Sequence, residues 1–161
     1  MTAPDRAQIV TFRLGDDLFA ADIFAVERVL RYQAPTPIPN VPEWIAGVLD
    51  YRGRVVPVLD LRRRFEMGVL APGPSTRTLI FVANGQWIAA VVDAVLEVAA
   101  IDPSRLAPPP PLFRGLAGEY LRGLVRHDAK LIIYLDVARL LTSTERLEIA
   151  RAVEPEPVAS A

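Results

Sequence analysis

The feature that most constrains this fold is an internal repeat. Residues 9–30 align without a gap with residues 78–99, at an offset of 69 (78 minus 9). Residues 44–65 align in the same way with residues 120–141, at an offset of 76 (120 minus 44). Two ungapped matches in the same order indicate two copies of one ancestral unit. The alternative is that both halves only share the apolar rhythm common to β proteins.

Each copy is predicted to consist of short β-strands. Its apolar segments are rich in Val and Ile and are separated by turn sequences such as "GDD" and "NGQ", a pattern typical of strands joined by hairpins. We therefore predict a mostly β chain with two subdomains, a C-terminal helix and a frayed tail. The predicted ranges are 9–66 and 78–141 for the subdomains, 66–77 for the linker, 142–153 for the helix and 154–161 for the disordered tail.

Composition argues against several classes of function. The 161 residues include no cysteine and one histidine, His127, with 18 basic and 19 acidic residues. Without cysteine there are no disulfides, thiolate metal ligands or thiol catalysis. The near balance of charge argues against nucleic-acid binding, which needs a basic face. Because no cysteine or second histidine can share a metal with His127, a solvated turn histidine is the favoured interpretation, and we expect no metal site.

No motif in the chain indicates catalysis. We find neither a glycine-rich phosphate loop nor a serine in a nucleophile elbow, so we predict no enzymatic activity and no cofactor. The N-terminal segment lacks the apolar core of a signal peptide. The most apolar stretch, residues 79–101, is interrupted by polar residues such as Asn84 and Asp93, and it is not expected to span a membrane. We expect a cytoplasmic protein.

The repeat allows one copy to serve as a control for the other. Asp60 and Asp136 occupy equivalent positions, each between a strand and a helical-looking segment. An aspartate at such a position can accept hydrogen bonds from the free N–H groups of the following turn. Because both copies have it, we interpret this pair as structural capping residues and not as catalytic carboxylates.

The hairpin within "GVLDYRGRVVPVLDL" differs between the copies. Arg52-Gly53 forms its predicted turn, whereas the second copy has Asp128-Ala129 there. The hairpin can therefore close without the Arg-Gly pair, which leaves Arg52 either as a contact residue or as an ordinary solvated arginine. Pro57 follows in the next strand and cannot donate a ladder hydrogen bond, so we predict an edge strand or a bulge there.

Three segments resemble the CheW-like adaptors of bacterial chemosensory systems. "FRLGDDLFAADIFAVERVL" is similar to the opening pair of strands in that family. "TPIPNVPEWIAGVLDYRGRVVPVLDLRRRF" resembles its Pro-Asn-x-Pro, Gly-hydrophobic-hydrophobic-Asn-Leu-Arg-Gly and Pro-Val-hydrophobic-Asp-Leu-Arg motifs, and "IAAVVDAVLEV" resembles its Val-Asp-x-Val pattern. The resemblance extends from Ile9 to Leu147 and implies a single CheW-like domain at residues 7–148.

The resemblance implies an all-β fold of two intertwined, five-stranded, SH3-like β-barrel subdomains related by internal pseudo-duplication, with a short C-terminal helix. It implies a non-catalytic scaffold that couples the cytoplasmic tips of chemoreceptors (methyl-accepting chemotaxis proteins) to the regulatory domain of the histidine kinase CheA. Further CheW-like domains are additional candidate partners. The membrane is reached only indirectly, by recruitment of the cytoplasmic protein to receptor arrays.

The resemblance also implies a set of partner-binding positions. They lie on the predicted hairpin and on the segment that follows the first pair of strands: Val26, Arg28, Val29, Gly47, Tyr51, Arg52 and Gly53.

Two departures from the family pattern bear on partner choice. Asp50-Tyr51 stands where Asn-Leu is usual, and Arg28 stands where the family often has Glu. A charge reversal on a contact face can exclude one partner and admit another. Two alternatives therefore stay open: an accessory, non-flagellar signalling pathway, or a receptor-independent structural spacer that assembles with like-folded domains into rings or filaments.

Overall fold

The computed structural model describes residues 6–65, 67–68, 71–108 and 120–140. The predicted C-terminal helix (142–153) and tail (154–161) lie outside these residues. Within them the chain forms ten strands and four short helical segments. The strands are β1 (Ala7–Leu14), β2 (Asp17–Asp22), β3 (Val26–Arg31), β4 (Ile45–Tyr51), β5 (Arg54–Asp60), β6 (Arg77–Ala83), β7 (Gln86–Val92), β8 (Ala94–Ile101), β9 (Leu121–His127) and β10 (Lys130–Leu135). The helical segments are α1 (Leu61–Arg64) and the 3₁₀ turns Ile23–Ala25, Pro103–Arg105 and Val137–Arg139.

The strands form two five-stranded sheets, and each sheet takes strands from both copies. The β1 sheet has the order β8-β1-β2-β10-β9, and the β6 sheet has the order β3-β6-β7-β5-β4. When the strands of each copy are numbered from one to five, both sheets have the order 3-1-2-5-4. Strands 1 and 2 come from one copy, and strands 3, 4 and 5 come from the other. The all-β fold with an internal duplication is thus confirmed.

Parallel pairing joins the two copies within each sheet. β2 pairs with β10, with Phe19 opposite Ile133, and β5 pairs with β7, with Leu59 opposite Ala90. Parallel neighbours require a long crossover connection, which the chain provides by passing from one sheet to the other. The sequence copies are therefore not the same units as the sheets. Each sheet has a linear strand order, so the SH3-like subdomains are open sheets and not closed barrels.

The main core lies between the two sheets. Phe12 and its equivalent in the second copy, Phe81, are both completely buried there. Phe19 stacks between two other phenylalanines, with ring centroids 6.0 Å from Phe12 and 5.6 Å from Phe65. Because these side chains come from both copies, burial of apolar area holds the sheets together as one body.

The two aspartates predicted to be capping residues are confirmed in that role. The Asp60 carboxylate accepts a hydrogen bond from the backbone N–H of Arg63 at the start of α1 (3.2 Å). The Asp136 carboxylate accepts one from the backbone N–H of Ala138 (3.2 Å). Asp60 binds the third following N–H and Asp136 the second, and the presence of a capping aspartate in both copies makes it a property of the repeated unit.

Pro57 does not lie on an edge strand, so that part of its prediction is wrong. Its strand, β5, is flanked by β7 and β4. The parallel ladder between β5 and β7 begins only at Val58. The missing N–H of Pro57 therefore leaves that ladder intact, which explains why an interior strand tolerates the residue.

Two equivalent glycines allow the long connections to pack against the hairpins. Gly47 and Gly123 have φ angles of 145° and 155°. A Cβ atom at Gly47 would overlap the carbonyl oxygen of Thr36, and one at Gly123 would lie 2.6 Å from the carbonyl oxygen of Ala107. Thr36 and Ala107 each exchange two backbone hydrogen bonds with the neighbouring strand. Glycine is needed at both positions because a backbone passes directly over it.

Substitution of these glycines tests the role of close approach. We expect Gly47→Ala and Gly123→Ala each to lower the free energy of unfolding by about 2 kcal/mol or more, since a methyl group meets fixed backbone at a disfavoured φ. Gly53→Ala is the matched control, because its Cβ would meet open space and only the backbone strain of about 1 kcal/mol applies. Urea unfolding measures all three. Equal losses at Gly47 and Gly53 would contradict this account.

Candidate functional site

The β4–β5 hairpin ends in a tight turn that presents Arg52. Arg52 and Gly53 have φ angles of 51° and 77°, as in a two-residue type I′ turn. The backbone N–H of Gly53 donates to the Asp50 carboxylate at 3.0 Å. Asp50, which departs from the family pattern, therefore stabilises the turn from its own strand.

The second copy closes the same turn with different residues. Asp128 and Ala129 have φ angles of 51° and 63°, close to those of the first hairpin. His127 and Lys130 pair across it, as Tyr51 and Arg54 do in the first copy. The Arg-Gly pair is therefore not required for the turn, as the comparison of the copies predicted.

The guanidinium of Arg52 is accessible from solvent. Its side chain is 57% exposed, and its nearest acidic group is Glu27, with 3.7 Å between Nη1 and Oε1. A pair this long and exposed contributes little to stability and can be exchanged for another carboxylate. Arg52 is thus neither buried nor held in a closed internal ion pair.

Two aromatic side chains form a rigid base below the turn. Tyr51 is buried and meets Trp87 edge-on, with ring centroids 4.9 Å apart. The Arg52 guanidinium lies 5.3 Å from the Tyr51 ring, and that of Arg54 lies 4.9 Å from the Trp87 ring. These contacts orient both cations without neutralising them. We call Glu27, Tyr51, Arg52, Arg54 and Trp87 the Arg52 rim.

Three members of the rim were not predicted from the sequence: Glu27, Arg54 and Trp87. The ladder between β3 and β6 is irregular between Val26 and Arg28, so Glu27 lies at a bulge. The acid that faces Arg52 is thus one residue before Arg28, where the sequence suggested a charge reversal. Only the register of β3 reveals this placement.

The remaining predicted contact residues do not all join the rim. Arg28 is exposed, and Val29 is 42% exposed, on the same strand as Glu27. Val26 is partly buried against the main core. Gly47 is buried four residues from Tyr51 along β4. The structure thus brings together Tyr51, Arg52 and Gly53, places Arg28 and Val29 on the adjacent β3 surface, and gives Gly47 an internal position.

Four of the six exposed large apolar side chains in the described part of the chain form two equivalent pairs. Val29 on β3 corresponds to Val98 on β8, and Val55 on β5 corresponds to Leu131 on β10, all between 42% and 57% exposed. Phe24 is 89% exposed and has Asp93 as its counterpart. The exposure of Phe24 was not predicted from the sequence, because an apolar residue beside a strand is ordinarily expected in the core.

Among the described residues, one group of side chains could hold a metal ion. Glu97, His127 and Asp128 place one ligand atom each within 4.8 Å of one another. They lie on β8 and the β9–β10 hairpin of the β1 sheet. The group is therefore separate from the Arg52 rim, which belongs to the β6 sheet.

Comparison with known proteins identifies the family. Residues 8–145 match the model of the CheW-like domain. The chain is 31% identical to chemotaxis protein CheW of Klebsiella aerogenes, over 86% of this chain and 83% of that protein. It is 36% identical to protein FrzA of Myxococcus xanthus, over 92% of this chain and 99% of that protein. The crystal structure of scaffolding protein TtCheW from Thermoanaerobacter tengcongensis superposes with a TM-score of 0.80 at 34% identity, covering 88% of this chain and 96% of that one.

Among the helices of the described residues, none has the length and apolar character needed to cross a membrane.

A double-mutant cycle tests whether Arg52 is available to partners. We expect Glu27→Gln, Arg52→Gln and the double variant to give a coupling energy of about 0.2–1 kcal/mol, since the pair is exposed and long. Urea unfolding of the four proteins measures it. A coupling well above this range would show that the pair is a structural lock.

Removal of the Tyr51 hydroxyl tests the packing below the turn. Its oxygen is buried without a hydrogen-bond partner among the described residues, so Tyr51→Phe should leave stability unchanged or raise it by about 1 kcal/mol. Thr11→Val is the control: that buried hydroxyl donates to the Glu97 carbonyl and accepts from the Glu97 backbone N–H, both at 3.1 Å, and its loss should destabilise by about 1 kcal/mol. Thermal unfolding compares the two. Equal destabilisation would contradict the assignment.

Proposed function

Because the chain belongs to the CheW-like domain family, we propose that it is a non-catalytic adaptor coupling the cytoplasmic tips of chemoreceptors to the regulatory domain of the histidine kinase CheA. Family membership makes a scaffold the general expectation. The observation that carries the specific proposal is the Arg52 rim, where an accessible guanidinium stands on a buried aromatic base. A cation held in this way can select an acidic partner surface.

The rim holds the Arg52 side chain in place before a partner binds, so little conformational entropy is lost on binding. The two-residue turn and the Tyr51–Trp87 contact restrict the backbone below Arg52. A partner carboxylate that displaces Glu27 exchanges one weak ion pair for another and gains the contact area around it. We propose that the receptor tip, a helical hairpin, binds beside this rim.

The β3 surface is the proposed contact for the kinase. β3 is an end strand of the β6 sheet and exposes Arg28 and Val29. An end strand with an exposed apolar side chain suits a like-folded partner. The partner can add a strand at the sheet edge, and the apolar side chain is buried on binding. Val26 supports this strand from the core side, and Gly47 keeps the hairpin in place. Signal would pass as a shift in the packing of three proteins, with no chemical step.

A second candidate function is a receptor-independent spacer. The observation that favours it is the equivalence of Val29 with Val98 and of Val55 with Leu131. A chain with similar apolar patches on both sheets can bind like-folded domains on two sides and extend into a ring or filament. Light scattering at increasing concentration separates the two proposals, because a spacer assembles without receptor or kinase.

An accessory signalling system is the proposed setting. The chain is 36% identical to protein FrzA, a relative whose name is not that of a chemotaxis protein, and 31% identical to the chemotaxis protein CheW of Klebsiella aerogenes. Arg28 and Asp50-Tyr51 place altered charges on and beside the contact surface, which favours dedicated receptors and a dedicated kinase. The proposed location is the cytoplasmic face of a membrane-associated receptor array.

Exchange of the turn between copies tests the proposal. In the double substitution Arg52→Asp with Gly53→Ala, the first hairpin receives the turn residues of the second, which already form this geometry. The fold should persist, while affinity for the receptor tip or the kinase regulatory domain falls about tenfold or more, since a carboxylate replaces the recognising cation. Calorimetry with the cytoplasmic tip of the cognate chemoreceptor and the regulatory domain of the cognate CheA measures both affinities.

Arg126→Ala is the matched control, because it removes an exposed arginine from β9, away from the rim. It should bind as the unaltered protein does. Unchanged binding by the exchanged-turn variant would refute the role of Arg52, and absence of any binding by the unaltered protein would refute the adaptor proposal.

A further inference from the structure

The two copies carry opposite charges at equivalent places beside their hairpin turns. Arg28 and Arg52 in the first copy correspond to Glu97 and Asp128 in the second. Tyr51 corresponds to His127. In the first copy an acid from β3 reaches the turn arginine. In the second copy two carboxylates approach an imidazole instead. The fold is the same, so this chemistry is not required for folding.

The three side chains have a spacing suited to a transition metal ion. The His127 Nε2 atom lies 3.4 Å from an Asp128 carboxylate oxygen. Two ligands of a tetrahedral zinc ion with bonds of about 2.0–2.1 Å are about 3.3 Å apart. The Glu97 carboxylate completes a group whose ligand atoms all lie within 4.8 Å. A small change of the Glu97 side chain would bring the third ligand into range.

The backbone below the cluster is well supported. Glu97 lies on β8, where its backbone N–H donates to the Thr11 hydroxyl and its carbonyl accepts from the same group, both at 3.1 Å. His127 ends β9, and Asp128 begins the turn. The groove between them has a volume of about 320 Å³ and includes the apolar side chains of Leu18 and Ile132. Apolar walls strengthen the attraction between carboxylates and a cation.

We propose that Glu97, His127 and Asp128 form a binding site for a divalent transition metal ion, with Zn²⁺ as the fitting species. One imidazole and two carboxylates are ligands that zinc accepts, and three protein ligands leave a fourth position for water or a partner's side chain. The sequence favoured a solvated His127 because no second histidine or cysteine was available. The fold supplies two carboxylates in their place.

Metal binding would join the two ends of the β1 sheet. β8 and β9 are the terminal strands of that sheet, and the site takes Glu97 from one and His127 from the other. In the β6 sheet the Glu27–Arg52 ion pair joins the equivalent strand, β3, to the equivalent turn, although Glu27 itself aligns with Leu96. The ion therefore corresponds to that pair in the second copy. Lys130 lines the same groove and opposes the ion by its charge.

The test is a zinc titration of the full chain after treatment with a chelator. Because His127 is the one histidine of the chain, NMR of the imidazole reports directly on the site. We expect its resonances to shift and to saturate at one Zn²⁺ per chain, with the same stoichiometry by calorimetry. Glu97→Gln and Asp128→Asn should each weaken Zn²⁺ binding at least about tenfold, His127→Phe should abolish it, and Lys130→Met should strengthen it.

Asp16→Asn is the matched control, since it alters an exposed carboxylate in another hairpin turn. It should leave zinc affinity unchanged, and circular dichroism should show every variant to be folded. An imidazole that does not respond to millimolar Zn²⁺ would overturn the proposal. A response that persists unchanged in Glu97→Gln and Asp128→Asn would also overturn it, because it would indicate binding to the imidazole alone. Either result leaves the adaptor proposal unaffected.

Discussion

The parallel pairing of strands from different copies is the constraint on which this structure depends. β2 hydrogen-bonds to β10, and β5 to β7, so neither copy can complete a sheet alone. The apolar residues that face inward from both sheets then share one core, with Phe12 and Phe81 at equivalent places within it. Because the two copies exchange strands, they form one folded body with two similar surfaces, one on each sheet.

Those two surfaces have diverged without a change of backbone. The hairpin turns have similar φ angles, and the capping residues Asp60 and Asp136 have nearly the same backbone conformation. The first turn carries a positive charge on Arg52, and the second carries a negative charge on Asp128. Because the turn geometry tolerates either pair of residues, the chemistry there is free to serve recognition. The Arg52 rim and the cluster around His127 are two outcomes of the same architectural position.

Much of the fold could be predicted from the sequence, because each local structural signal occurs in both copies of the repeat. Strand pattern, duplication and capping residues all follow from local signals. The errors have a common cause in long-range pairing. Pro57 was expected at an edge or a bulge, but the interior position of β5 depends on its pairing with β7. Glu27 and Phe24 were missed, because a bulge and an exposed 3₁₀ turn are not visible as periodicity. Gly47 is explained by the passage of Thr36 over it.

The sequence by itself determined the repeated unit, the all-β class, the two capping aspartates and the presence of a non-essential arginine at one turn. Those properties depend on composition and on contacts between near neighbours in the chain. Only the tertiary structure decided which copy supplies which strand, that Glu27 faces Arg52, and that Glu97 meets His127 and Asp128. Each of these depends on strand order and register, which arise from burial across the whole molecule and not from any local pattern.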